Sequence, residues 1–159
     1  MTEFNFRTGF GYDVHRFSRK RKLILGGVEI DYEFGLEGHS DADVLLHSLC
    51  DALLGAAGFK DIGHQFPNTD DNYKNISSLI LLKESYTLLK KKGWKVSNSD
   101  SVIILEEPKI YEYTDMMKKN ISDIIETDNV SIKATTSEGL GFVGMKQGCA
   151  AYSTVLIYK

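Results

Sequence analysis

The chain reads as an α+β (mixed α/β) single domain over residues 1–159, with helices packed on one face of a mostly four-stranded sheet plus a small β-hairpin. Three observations predict this. A length of 159 residues suits one domain, since domains run about 100–200 residues. The apolar period switches along the chain between two and about 3.6. No Pro/Gly/Ser-rich linker or internal repeat interrupts it, and the prolines are confined to Pro67 and Pro108.

Residues 3–17 alternate aromatic and polar positions (Phe4, Phe6, Phe10, Tyr12, Val14) and read as a strand. Leu23–Leu25 and Val28–Ile30 flank Gly26-Gly27, a second extended segment bent at the glycines. From Ser40 the spacing becomes helical: Ser40 and Asp43 form a capping-box-like pair, Leu45, Leu46, Leu49, Leu53 and Leu54 follow, and Gly55 and Gly58 close the helix. Residues 59–74 are rich in Gly, Pro, Asn and Asp and read as a loop. So long a loop in a compact domain is usually functional. A second helix is expected from Asn75 to Lys92, its last turn Lys90-Lys91-Lys92 complementing the dipole. Trp94–Leu105, Val130–Ala134 and Cys149–Ile157 read as strands, and residues 111–126 as a helix.

Composition excludes several function classes. Lys plus Arg total 19 against 22 Asp plus Glu, a net charge of −3, whereas a nucleic-acid module normally presents a basic face. The basic quartet Arg19–Lys22 is most simply a solvated hairpin loop. The 42% hydrophobic content argues against wholesale disorder. No apolar run reaches the roughly 20 residues of a membrane span, and the N-terminus lacks a signal-peptide apolar region. Cys50 and Cys149 make no disulfide framework, which points to a reducing, cytoplasmic setting. Nucleic acid and membranes are therefore not the expected partners.

The chemistry begins at Asp13-Val14-His15. On a strand, side chains at i and i+2 share a face, about 6.6–6.8 Å apart. A carboxylate and an imidazole so placed suit zinc. His47 lies within the Ser40 helix, one turn from both Asp43 and Asp51, either of which could orient its ring. His39 sits in the turn before the helix and is assigned to the substrate side. Asp13, His15 and His47 would leave a fourth position open, as in catalytic zinc sites. Spacing alone leaves this set open, because Asp-x-His is common by chance and helix histidines are often core residues. His64 shows no partner in the sequence and reads as solvated.

Further along, Lys133-Ala134-Thr135-Thr136-Ser137-Glu138-Gly139 follows a strand. Its hydroxyls and backbone N–H groups could cradle phosphate oxygens, with Glu138 on a hard divalent cation. Alone, it reads as a Ser/Thr-rich turn. Glu106-Glu107-Pro108-Lys109 ends a strand, a frequent ligand position but equally a turn set by the proline. Asp61-Ile62-Gly63 could meet ribose hydroxyls, or Asp61 could simply cap a helix.

Taken together, Gly11–Phe17, Gly38–His47, Asp51–Ala56, Asp61–Gly63, Phe66–Asp70 and Lys133–Glu138 closely resemble the 2-C-methyl-D-erythritol 2,4-cyclodiphosphate synthase family, in order and over nearly the whole chain. The resemblance implies a cytoplasmic, cyclising, CMP-releasing phosphorus–oxygen lyase of non-mevalonate isoprenoid biosynthesis. It implies a homotrimer with active sites between subunits and a cytidine-diphosphate-linked methylerythritol 2-phosphate as substrate. Asp13, His15 and His47 match zinc ligands, and Glu138 matches the site of a magnesium or manganese ion. His39 and Thr136 match transition-state groups. Ser40, Asp61, Ile62, Gly63, Phe66, Asn68, Asp70, Leu105, Pro108, Lys109, Thr135, Ser137 and Phe142 match substrate contacts, together with Thr136 and Glu138. Asn68 stands where the family often has Asp, and Met145 and Gln147 where Arg and Glu are common. Competing readings are a zinc phosphohydrolase on the same three ligands and a non-catalytic nucleotide-binding module.

Overall fold

The computed structural model describes residues 5–159, so the start of the predicted first strand, residues 3 and 4, lies outside the described residues. Strand β1 (Phe6–Ser18) leads into the hairpin β2 (Leu23–Leu25) and β3 (Val28–Ile30), then the two-residue β4 (Gly35–Leu36). Helix α1 (Val44–Ala56), the one-turn α2 (Ile62–Gln65) and α3 (Ser78–Lys91) follow. β5 (Lys95–Ile104), α4 (Thr114–Ile125), β6 (Val130–Thr135), the short α5 (Gly141–Gly144) and β7 (Gly148–Tyr158) complete the chain.

The sheet order is β4-β1-β7-β5-β6, with the hairpin β2–β3 as a separate two-stranded sheet. The predicted four-stranded sheet thus gains a fifth strand, β4, too short to leave a periodic signal. β1–β7 and β5–β7 run antiparallel, while β5–β6 is parallel with α4 as the crossover. The 59–74 segment carries local helix after all: α2, and a 3-10 turn at Asp71–Tyr73.

Strand periodicity decides which residues meet α1. Cys149, Ala151, Ser153, Val155 and Ile157 of β7 face the helices and are buried. Their β1 partners are His15, Asp13, Gly11, Gly9 and Arg7. At Gly11 an added Cβ would lie 1.9 Å from the carbonyl oxygen of Ser48, and at Gly9 1.9 Å from that of Ala52. Only glycine lets the α1 backbone approach β1 so closely. Two residues beyond Gly11 on the same face comes Asp13, and one residue before Ser48 on the helix comes His47. The close packing therefore places the metal-type donors opposite one another. Beneath them Ser153 Oγ lies 2.7 Å from Ser48 Oγ and 2.8 Å from Ser101 Oγ, a buried hydroxyl chain tying α1, β7 and β5.

Among the described residues, no helix packs on the other sheet face. It presents Phe6 (58% exposed), Phe10 (64%), Tyr12 (42%) and Val14 (41%), with Tyr152 opposite Tyr12. The Tyr12 and Tyr152 rings meet at a tilt of 34°, with centroids 4.8 Å apart.

Candidate metal and nucleotide site

Asp13 Oδ2 lies 2.8 Å from His15 Nε2 and 3.0 Å from His47 Nδ1, and those two nitrogens are 3.1 Å apart. The other ring nitrogens are already committed. His15 Nδ1–H donates to the carbonyl of Glu37 at 2.7 Å. His47 Nε2 lies 2.9 Å from both Ser40 Oγ and Ser78 Oγ. Ser40 Oγ accepts from the N–H of Ala42 at 3.1 Å, and the Ser78 hydroxyl donates to Asp41 Oδ1. With its own proton on Asp41, Ser78 Oγ can only accept from His47 Nε2–H, which puts the ring proton on Nε2. Asp13 Oδ2, His15 Nε2 and His47 Nδ1 are left as one donor atom per residue, close enough together to share one ion. Around a tetrahedral zinc with bonds of about 2.0–2.1 Å, donor atoms lie about 3.3 Å apart. The observed triangle needs to open only slightly, so an N2O set fits zinc. Burial works against the Asp13 charge, but hydrogen bonds and charge from His15 and His47 outweigh it and hold the carboxyl below its usual range. Burial likewise works against protonated His15, and Asp13 overrides it, raising that imidazole's pKa.

Several sequence expectations change here. The helix cap is Asp43, not Ser40: Asp43 Oδ1 accepts from the N–H of Leu46 at 3.1 Å, and Oδ2 from that of Gly27 at 2.7 Å. Burial, with repulsion from Asp41, pushes the Asp43 carboxyl up to about 6. Neither Asp43 nor Asp51 orients His47. Asp51 Oδ1 instead accepts from the N–H of Ile62 at 2.7 Å and pins α2. One-turn spacing put these carboxylates near the ring, but backbone donors outcompeted it for them. Arg21 is not a solvated loop residue: its guanidinium donates to the carbonyls of Gly38 and Ser40 on either side of His39. His64, read as partnerless, has Nδ1 2.9 Å from Asp61 Oδ2, and Asp61 caps α2.

Most of the predicted site residues fall into two cavities. One, about 240 Å³, is lined by His15, His39, Ser40, His47, Ile62, Gly63, Phe66 and Asn68, with Tyr73 and Leu81, which the sequence reading missed. His39 Nε2 is buried there without a hydrogen-bond partner among the described residues. The other, about 660 Å³, is lined by Leu105, Pro108, Lys109, Thr135 and Thr136, joined by Tyr111, Lys118 and Lys133. The cavities share no lining residue. Asp13, Asp61, Asp70, Ser137, Glu138 and Phe142 line neither. Asp70 caps the 3-10 turn through the N–H of Asn72 at 2.9 Å. The N–H groups of Ser137 (2.8 Å) and Gly139 (3.4 Å), which the sequence offers to phosphate, are taken by Glu106 Oε1. Glu138 is exposed at φ +54° and accepts from the Thr136 hydroxyl at 3.1 Å.

An Asp-His-His group that could hold a metal ion, where a strand meets a helix and two of its members line a cavity, defines the class: an α/β protein with a candidate metal site. Comparison with known proteins sharpens that class: the chain belongs to the YgbB family, matched over residues 6–158. It is 54% identical over 153 residues to the 2-C-methyl-D-erythritol 2,4-cyclodiphosphate synthase of Syntrophomonas wolfei, covering 95% of this chain and 98% of that one. Among solved structures it matches the bifunctional IspDF of Campylobacter jejuni with a TM-score of 0.94 and 43% identity. There it covers 98% of this chain but only 43% of that longer chain. It also matches IspF of Plasmodium falciparum in complex with CDP, with a TM-score of 0.84, 34% identity and 96% of each chain covered.

Proposed function

We propose that the chain is an enzyme that converts 4-diphosphocytidyl-2-C-methyl-D-erythritol 2-phosphate to the cyclic 2,4-diphosphate, releasing CMP. The convergence of Asp13, His15 and His47 on one point carries this reading. Identity of 54% to a synthase of that name supports it, as does the likeness to a CDP complex. Zinc held by Asp13, His15 and His47, with magnesium or manganese at Glu138, would supply Lewis acidity and a template for diphosphate oxygens.

The chain's own residues account for the rest. Leu105, Pro108 and Lys109 would wall the larger cavity for the cytidine, and Thr135 and Thr136, which also line it, would meet the phosphates. His39, free at Nε2, is left to the substrate. Ile62, Gly63, Phe66 and Asn68 close over the sugar phosphate. The attacking 2-phosphate is already an anion, so no general base is needed; the task is alignment and charge compensation.

The working unit in this reading is a homotrimer, soluble and cytoplasmic. Two observations support it: the bare aromatic sheet face, which is the kind of apolar patch that marks an interface, and the division of the site residues between two separate cavities, which a neighbouring subunit would bring together. No helix among the described residues is long and apolar enough to cross a membrane.

The test is turnover of the authentic substrate with zinc and magnesium. CMP and the cyclic diphosphate are expected, with no solvent oxygen in the product and no turnover by His47→Ala. Oxygen-18 entering from water would turn the reading to a phosphohydrolase. Tight binding of CDP without turnover would turn it to a nucleotide-binding module.

A further inference from the structure

The sequence drew attention to Asp43 and Asp51 around His47, yet the structure gives the back of that ring to other residues. Ser78 opens α3, 31 positions beyond His47, and is fully buried. Its hydroxyl donates to Asp41 Oδ1, while its backbone N–H donates to Asp41 Oδ2 at 2.9 Å. With the hydroxyl proton spent on Asp41, Ser78 Oγ meets His47 Nε2, 2.9 Å away, as an acceptor.

Asp41 is fixed independently. Its N–H donates to the carbonyl of Ile76 at 3.1 Å, and its Oδ1 accepts from the N–H of Asp43 at 3.2 Å. Between them Ala42 adopts φ +59°, a left-handed conformation unfavourable for a non-glycine residue. The surrounding structure tolerates that cost to hold the turn in this shape.

We infer that Asp41 and Ser78 are positioning residues: a carboxylate–hydroxyl relay holds the proton on His47 Nε2 and keeps the Nδ1 lone pair aimed at the metal position beside Asp13 and His15. The inference rests on the metal reading of those three residues. Carboxylates behind metal-binding histidines raise ligand basicity and fix the tautomer, and their loss typically weakens metal binding 10–100-fold. The intervening hydroxyl transmits the same polarisation one bond further. It also couples the start of α3 to α1, so that the helix following the 59–74 segment is registered against the metal position.

The decisive variant is Ser78→Ala, which removes the hydroxyl and keeps the backbone N–H that Asp41 uses. Ser85→Ala is the matched control. Ser85 is fully buried on the same helix, but seven residues, about 10 Å, further along it. Zinc affinity is measured on the purified full chain by competition with a chromophoric chelator, without substrate. Cobalt(II) spectra report the ligand geometry.

Ser78→Ala is expected to bind zinc about 10-fold more weakly and to shift the cobalt d–d bands, with melting of the metal-free protein changed no more than in Ser85→Ala. Wild-type zinc affinity in Ser78→Ala, or an equal loss in Ser85→Ala, overturns the inference. Asp41→Asn keeps the shape and removes the charge. It is expected to weaken zinc several-fold, and it decides the matter if Ser78→Ala does not fold. If the wild-type chain binds no zinc, the metal reading itself falls; if the wild type binds and the variants bind equally, only the relay does.

Discussion

Gly11→Ala tests the claim that backbone packing, rather than ligand spacing, assembles the metal site. The new Cβ would lie 1.9 Å from the carbonyl oxygen of Ser48 and 2.8 Å from the nitrogen of Ala52, both backbone atoms of α1. Carbon and oxygen tolerate an approach of about 3.3 Å, so α1 must retreat by about 1.4 Å. His47 immediately precedes Ser48 and moves with it. Zinc sites hold their bonds to within about 0.2 Å, so a displacement of this size removes the third ligand. Overpacking of this kind costs about 1–3 kcal/mol, which for a chain of this size lowers the melting temperature by about 2–4 °C per kcal/mol. Calorimetry of the metal-free protein should show that fall, and chelator competition should show zinc affinity at least 100-fold weaker. A variant that melts like wild type and binds zinc normally would refute the argument, because it would mean α1 has room the structure denies it.

Other consequences follow from the same geometry. The pH dependence of the metal-free protein has a definite sign. His15 is raised above 6.5 and Asp43 is raised from 3.8 to about 6. Both contribute stability that is present at low pH and lost as pH rises through their folded values. The Asp13 contribution, from a lowered pKa, is lost only as pH falls below about 3.8. Melting should therefore be higher at pH 5 than at pH 7.5, and equal or reversed midpoints count against the assigned pairings. Zinc affinity should run the other way, strengthening with pH as the proton leaves His15. Asp51→Ala removes the acceptor for the Ile62 N–H and should speed amide exchange across Ile62–Gln65, while Asp51→Asn keeps it slow; equal exchange in both would remove the anchoring role. Phe10→Asp on the bare sheet face should shift sedimentation from trimer to monomer and abolish turnover, and a wild-type chain that sediments as a monomer would sink the assembly proposal.

Much of the fold was legible because its signals are periodic. The alternation through β1 and β7 and the leucine spacing of α1 placed those elements within a few residues of their true bounds. The exceptions were β4, two residues long, the local helix inside 59–74, and the four-residue α5, all too short for a period to register. At the site, Asp13-x-His15 was visible because a strand puts i and i+2 on one face. His47 was visible because it interrupts an apolar helix.

What surrounds those residues was hidden, for a common reason. Ser78, Asp41 and Arg21 act through hydrogen bonds between distant segments, and hydrogen-bond partners leave no spacing rule when turns intervene. Neighbours at helical spacing were misleading in turn: Asp43 and Asp51 stand one turn from His47, yet unsatisfied backbone N–H groups of Leu46, Gly27 and Ile62 claimed them first.

By itself, then, the sequence determined the fold class, the donor types for a metal, and the segments that resemble the synthase family. Those depend on local period and on chemistry carried within single side chains. Only the tertiary structure decided which ring nitrogens are left uncommitted, that Glu106 rather than a phosphate holds the Ser137 and Gly139 N–H groups, and that most of the site residues divide between two cavities. Each of these depends on which distant groups reach one another first, and that is settled by close packing, beginning with the glycines that let α1 touch β1.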